Sequence, residues 1–301
     1  MKIALKIDVD TYRGTRKGVP ALVELLQKHQ AGATFLFSLG CDHTGRALKR
    51  VFRPGFLKKV SRTSVVEHYG LRTLLYGTLL PGPDIGKRCA GIMQNVAAAG
   101  FEIGIHCHDH IRWQDNVAQQ SGEWATQEMD KARDRFQQIF GQPARTHGAA
   151  GWQMNRQAFR QEQHYEFIYC SDTRGTHPFI PVLDGEIVAC PQLPTTLPTL
   201  DELIGVDTIT ANNVDQHLLQ LTSTCDQNHV YTLHAELEGM KLLPTFERLI
   251  VGWKQQGYEL VSCIDLLQDL DLSALPYHRV EYREIPGRSG ALSCQGAEFL
   301  A

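Results

Sequence analysis

The sequence predicts an α/β protein, a barrel of about seven parallel strands with helices outside. Three observations point there. Short apolar runs with strand alternation recur six or seven times, and stretches with helical spacing separate them. The 301 residues also match the ~250 or more that an α/β barrel uses as one unit, so a single domain over 1–301 is expected.

Ile3 to Val9 alternates as a strand, and Gly18 to His29 carries apolar residues at helical spacing. Ala33 to Phe37 is the second strand. A helix over 84–99 ends at Gly100, and Phe101 to His106 follows as a strand. A helix over 123–140 stops at Gly141, with Pro143 just beyond. Next come a strand near 145–149, a helix near 155–162 and a strand at Phe167 to Tyr169. After a proline-rich stretch, a helix near 214–224 precedes the strand Val230 to His234. A helix at 245–256, a strand Tyr258 to Val261 and a helix Cys263 to Leu270 complete the series, and the tail 271–301 reads as irregular.

With 43% hydrophobic and 21% charged residues the chain is globular rather than disordered. The net charge of −3 gives no global attraction for nucleic acid, so no nucleic-acid partner is expected. Eight scattered cysteines without a CxxC pair read as reduced thiols of a cytosolic protein. The N-terminus meets Asp8 after a run too short for a signal-peptide core, and no run of 18 apolar residues occurs.

One segment breaks the rhythm. Arg46 to Arg72 holds eight basic residues and one acid, Glu67, with Phe52, Phe56, Val60 and Tyr69 interleaved and Leu74 to Leu80 following. A basic, apolar insertion near 41–82 suits an anionic membrane surface, contacted through 46–80; a solvated helical pair over the barrel edge is the alternative.

Asp8-Val9-Asp10 ends the first strand, where i and i+2 side chains share a face, and two carboxylates so close call for a cation. His106-Cys107-His108-Asp109-His110 follows another strand, and imidazole is a preferred ligand of zinc and its first-row relatives. Spacing leaves open which histidines bind. His106 and His108 share a strand face, whereas His106 and His110 converge if the chain turns. Asp10 with two histidines makes a two-His, one-carboxylate centre with open positions, catalytic in type. Zinc leads, with Mn, Co, Ni or Fe accepted by the same ligands. Asp8 is then the base and His234, at a later strand end, the acid. Trp152, in Gly148-Ala-Ala-Gly-Trp152, is a candidate wall for substrate or a core residue. Asp172 is a candidate to orient the site and Arg174 to meet an anionic group, with an Asp–Arg pair as the plainer reading.

Ile7-Asp8-Val9-Asp10, His106-Cys-His-Asp-His110 and Leu233-His234, in that order, resemble the polysaccharide-deacetylase (NodB-homology) family of carbohydrate esterases. The resemblance implies a deformed (β/α) barrel, chooses His110 over His108, and assigns Asp8 as base, His234 as acid, and Asp10, His106 and His110 to the metal. An arginine often lies near the base in that family. Here Ala and Gly fill the matching motif and Gln153 follows Trp152, which leaves the residue orienting Asp8 unassigned.

Ile7 to Arg16, Ala149 to Trp152, Ser171 to Gly175, Gln192 to Thr199, Tyr231 to Gly239, Gly287 to Gly290 and Cys294-Gln295 resemble a subgroup that removes formyl from an amino sugar on polyprenyl phosphate. This implies a lipid-linked sugar substrate and a peripheral enzyme on the cytoplasmic face of the inner membrane. Its place would be in lipid A modification and resistance to cationic peptides such as polymyxin. The competing readings are a deacetylase of soluble N-acetylated oligosaccharides, an amidohydrolase barrel using His106 and His108, and a non-catalytic lipid-binding protein.

Overall fold

The computed structural model describes residues 1–47, 70–224, 227–288 and 290–300. Most of the expected insertion, 48–69, lies outside the described residues.

The strand β1 (Lys2–Val9) is the hub of a parallel sheet. One edge pairs along Ile3 to Asp8 with β8 (His229–His234). The other edge is divided: β9 (Glu259–Val261) takes Lys2 to Ala4, and β2 (Thr34–Ser38) takes Lys6 to Val9. Beyond β2 lie β3 (Glu102–Cys107), β4 (Thr146–His147) and β5 (Tyr169–Cys170), giving the order β5-β4-β3-β2-β1-β8. Parallel strands covered on both faces are buried throughout, and β1 is buried from Ile3 to Val9. Its period of two sends Ile3, Leu5, Ile7 and Val9 into the large core under the helices, and Ala4 into a smaller cluster with Tyr169, Leu193, Val230 and Val261. Lys6 and Asp8 continue the face of Ala4.

Among the described residues no strand pair joins β5 to β8, and the gap is closed by the segment 191–197. Leu193 N donates to Cys170 O at 2.8 Å on one side, and Thr196 N donates to Val230 O at 3.0 Å on the other. The curled sheet is thus a deformed barrel with one irregular stave.

Most of the helices match the apolar periodicity. They are α1 (Val19–Lys28), α2 (Ile85–Ala98), α3 (His110–Asn116), α4 (Gly122–Phe140), α5 (Arg156–His164), the short α6 (Leu200–Leu203), α7 (Val214–Thr222), α8 (Leu243–Gln255) and α9 (Cys263–Leu267). Asp84 caps α2 by accepting from Lys87 N, and Gly141 ends α4 in the left-handed region at φ 68°, where a side chain would be strained.

Two regions depart from the sequence expectation. The tail is not irregular: β10 (Tyr277–Glu284) and β11 (Ala291–Glu298) form a hairpin that joins β6 (Ile180–Leu183) and β7 (Glu186–Ile187) in a second sheet, ordered β11-β10-β6-β7. β10 is mostly exposed and rich in Arg and Glu, so it carries no apolar alternation; main-chain pairing holds it. The helix α3 was also unexpected, being seven residues long and opened by the Asp109 cap.

Candidate metal and active centre

Three strand ends build the site. The β1–β8 register sets Asp8 directly beside His234, and Ala235 N donates to Asp8 O at 3.0 Å. On β3 the pairing with β2 skips one residue, from Phe37–Ile105 to Ser38–Cys107, so His106 is a bulge residue whose side chain is re-aimed. Asp109 then accepts from Arg112 N at 3.0 Å and starts α3, which turns the chain and returns His110 to the first residue of a helix facing Asp10.

Asp10, His106 and His110 offer ligand atoms within 4.8 Å of one another. His106 Nε2 lies 3.2 Å from Asp10 Oδ1, and His110 Nε2 lies 3.5 Å from Asp10 Oδ2. His108 faces elsewhere, lining a small internal cavity with Trp113, Glu128 and Met129. The turn, not the shared strand face, therefore selects the pair of histidines near Asp10.

His106 Nδ1 donates to Gly148 O at 2.6 Å, so a neutral ring points its Nε2 lone pair at the Asp10 carboxylate. That juxtaposition asks for a cation between them. Burial opposes charge on His106, yet Asp8 and Asp10 outweigh it and raise its pKa. Burial likewise works against an ionised Asp10, and the charges of His110 and His106 nevertheless hold it well below the usual carboxylate range. Asp8 Oδ1 and Asp10 Oδ1 are buried without a hydrogen-bond partner. Two imidazoles, one carboxylate and orphaned carboxylate oxygens fit a divalent transition ion.

The residue that orients Asp8 is Lys6. Its Nζ lies 3.2 Å from Asp8 Oδ2, both side chains are buried, and the ammonium sits 5.2 Å from the centroid of the Trp152 ring. Lys6 occupies the role for which the sequence offered no arginine. The signal was available: Lys6 precedes Asp8 by two residues and shares its strand face. Gly148 makes the room, since a Cβ there would stand 2.8 Å from Lys6 Cε and 2.4 Å from Leu36 Cδ1. The first glycine of the small-residue motif thus leaves space for the lysine side chain.

Trp152 is 1% exposed, so it supports the site from beneath rather than presenting an open wall. Arg174 and Arg288 lie 5.0 and 4.7 Å from its ring centroid, and its Nε1 donates to Thr195 Oγ1. The anionic group met by Arg174 is Glu202, at 2.5 Å, which also pairs with Arg288 at 2.6 Å. Asp172 pairs with His147 at 2.8 Å, not with Arg174, and accepts from Ala149 N at 2.7 Å.

Two acids missed in the sequence anchor the His234 side. Glu236 Oε1 accepts from Asp10 N, Thr11 N and Thr11 Oγ1 at 3.1, 2.8 and 2.7 Å, pinning the loop that carries Asp10. Glu238 accepts from His234 N at 2.9 Å and from the Tyr231 hydroxyl at 3.1 Å; burial pushes it up to about 6, against the pull of His234. His234 Nδ1 is buried without a partner.

A second titratable cluster, His147, Glu162 and Asp172, is buried and closed by its own hydrogen bonds, and Glu162 also approaches Cys170 and Cys190. Burial, then the neighbouring Cys190, push the Cys170 thiol well above its ordinary range.

The family described as polysaccharide deacetylase matches residues 2–167. A Shewanella sediminis protein named "Probable 4-deoxy-4-formamido-L-arabinose-phosphoundecaprenol deformylase" is 41% identical over 296 residues, covering 98% of this chain and 95% of its own length. A protein of the same name from Wigglesworthia glossinidia brevipalpis is 33% identical, covering 94% of this chain and 98% of its own. Among solved structures, one from Mycobacterium smegmatis described as a polysaccharide deacetylase superposes with a TM-score of 0.62 at 14% identity, covering 94% of this chain and 95% of that one. This last likeness concerns the fold.

Proposed function

The chain belongs to the polysaccharide deacetylase family and is an amide-hydrolysing enzyme; from that premise we propose that it hydrolyses the formamide of 4-deoxy-4-formamido-L-arabinose carried on undecaprenyl phosphate. The products are the 4-amino sugar lipid and formate. The same two curated relatives, alike over nearly their whole length, motivate this substrate.

The observation that carries the reading is the pairing of Asp8 and His234 across β1 and β8, each with a buried unpartnered atom, beside the Asp10, His106 and His110 set. Those three residues would hold a divalent ion, zinc first, with Mn, Co, Ni or Fe as substitutes. When bound, such an ion polarises an amide carbonyl and makes water easier to deprotonate.

The rest falls to the chain itself. Lys6 engages Asp8 Oδ2, which leaves Oδ1 to take a proton from the attacking water. His234 gives a proton to the departing sugar nitrogen as the C–N bond breaks. Water adds hydroxyl to the formyl carbon and hydrogen to the amine, so formate and a free amine balance the equation. At neutral pH the amine is cationic, which suits lipid A modification and resistance to cationic peptides such as polymyxin.

A lipid-linked substrate calls for peripheral docking at the inner membrane, on its cytoplasmic face. No helix among the described residues is long and apolar enough to cross a membrane. Leu71 and Leu79, 67% and 81% exposed, lie within the basic apolar stretch 46–80 and support an anionic membrane surface as partner. The seven described cysteines are free, in keeping with a reducing compartment.

Mass spectrometry of the formamido-sugar lipid incubated with zinc-loaded protein tests the reading. Loss of one CO unit with release of formate is expected. An intact lipid alongside cleavage of an N-acetylated sugar would overturn it.

A further inference from the structure

The peptide group joining Gly148 to Ala149 is held at both ends. Its carbonyl accepts from His106 Nδ1 at 2.6 Å, and its N–H donates to Asp172 Oδ1 at 2.7 Å. Asp172 is fixed in turn: His147 Nδ1 lies 2.8 Å from Oδ1, Gln192 Nε2 donates to Oδ2 at 2.9 Å, and Asp172 N donates to Gln192 Oε1 at 3.0 Å. His147 Nδ1 also lies 2.9 Å from Glu162 Oε1. Asp172, Gln192 and Glu162 are fully buried.

A buried carboxylate is costly to keep, and the fold keeps this one against an amide N–H. A carboxylate at the N–H pushes electron density towards the carbonyl oxygen, making it a stronger acceptor, because hydrogen bonds in series polarise one another. The stronger acceptor fixes the His106 proton on Nδ1, orients the ring and leaves Nε2 as the donor atom facing Asp10. The covalent amide therefore couples the buried Asp172 to a ligand atom in the centre.

We propose that Asp172 is a positioning residue for the ligand His106, acting through the Gly148–Ala149 peptide group. The proposal rests on the reading of Asp10, His106 and His110 as metal ligands and names what sets the geometry of one of them. His147 and Gln192 hold Asp172 in place; Glu162 shares both partners, lying 2.9 Å from the same His147 Nδ1 and accepting from Gln192 Nε2 at 3.3 Å, while the amide N–H goes to Asp172.

Binding of Zn²⁺ measured by competition with a chelating dye, together with the visible absorption of the Co²⁺-loaded protein, provides the test. Asp172→Asn keeps the shape and removes the charge. It is expected to weaken Zn²⁺ affinity by about tenfold or more and to change the Co²⁺ spectrum, as outer-shell changes do at such sites. Glu162→Gln alters the same buried network while leaving the Asp172 carboxylate on the amide N–H, and is expected to move both readouts much less than Asp172→Asn does. A network that merely stabilises the fold would predict equal effects of the two variants on metal binding.

Should Asp172→Asn fail to fold, Ala149→Pro removes the N–H while Ala149 already holds φ −62°, the value proline imposes. The same loss of affinity is expected. Unchanged affinity and spectrum in the folded variant overturn the proposal alone; absence of Zn²⁺ uptake by the unsubstituted protein overturns it together with the metal reading.

Discussion

Asp8 and His234 face each other as direct register partners in adjacent parallel strands, although 226 residues separate them in sequence. The proposed base and acid are thereby fixed by main-chain pairing, and neither belongs to the proposed ligand set. Asp8→Asn is expected to lower formate release by about 10²–10⁴-fold while Zn²⁺ uptake persists. Equal turnover in the variant would remove Asp8 from its role.

The turn at Asp109 separates the histidines by task. His110→Ala should abolish or greatly weaken Zn²⁺ binding, and His108→Ala should leave it intact, because His108 lines a cavity away from Asp10. Metal content after dialysis, measured by atomic emission, distinguishes them; the reverse pattern would restore the shared-strand alternative.

Lys6 and Asp8 are a buried ion pair, so removing one partner strands the other. Lys6→Met is expected to lower unfolding free energy by about 3–5 kcal/mol, read by urea denaturation. Its kcat should fall at saturating metal, since Asp8 loses the contact that leaves Oδ1 free for water. Lys6→Arg should recover part of kcat.

His147 supplies a pH signature. Burial disfavours its charge, but Asp172 and Glu162 prevail and raise it to about 9. A folded-state pKa above the unfolded value of about 6.5 gives stability that is complete below about pH 6.5 and lost as pH rises through about 9. Denaturation midpoints should therefore decline from pH 6 to 9.5, and His147→Gln should flatten that decline. A parallel decline in the variant would place its cause elsewhere.

The barrel was legible because its signals are local. Alternation marked β1, helical spacing with Gly141 marked α4, and residue type with strand position marked Asp8, Asp10 and His234. The choice between His108 and His110 was not local, since it depends on a bulge and a seven-residue helix that leave no periodic trace. Lys6 escaped notice because a lysine inside an apolar strand reads as a tolerated exception until its carboxylate partner is seen. The second sheet escaped because β10 is charged and exposed, so its existence rests on partners far away in the chain.

The hub position of β1 also governs the order in which the molecule can be made. At ~5–20 residues per second, ribosomal synthesis takes roughly 10–45 s to reach the strand that covers its free edge. Throughout that interval Ile3, Leu5 and Ile7 belong to an unfinished sheet whose edge is open to any passing strand. No truncated product ending before residue 234 contains both the proposed proton acceptor and the proposed proton donor, so premature termination is expected to yield inert fragments rather than partial enzymes.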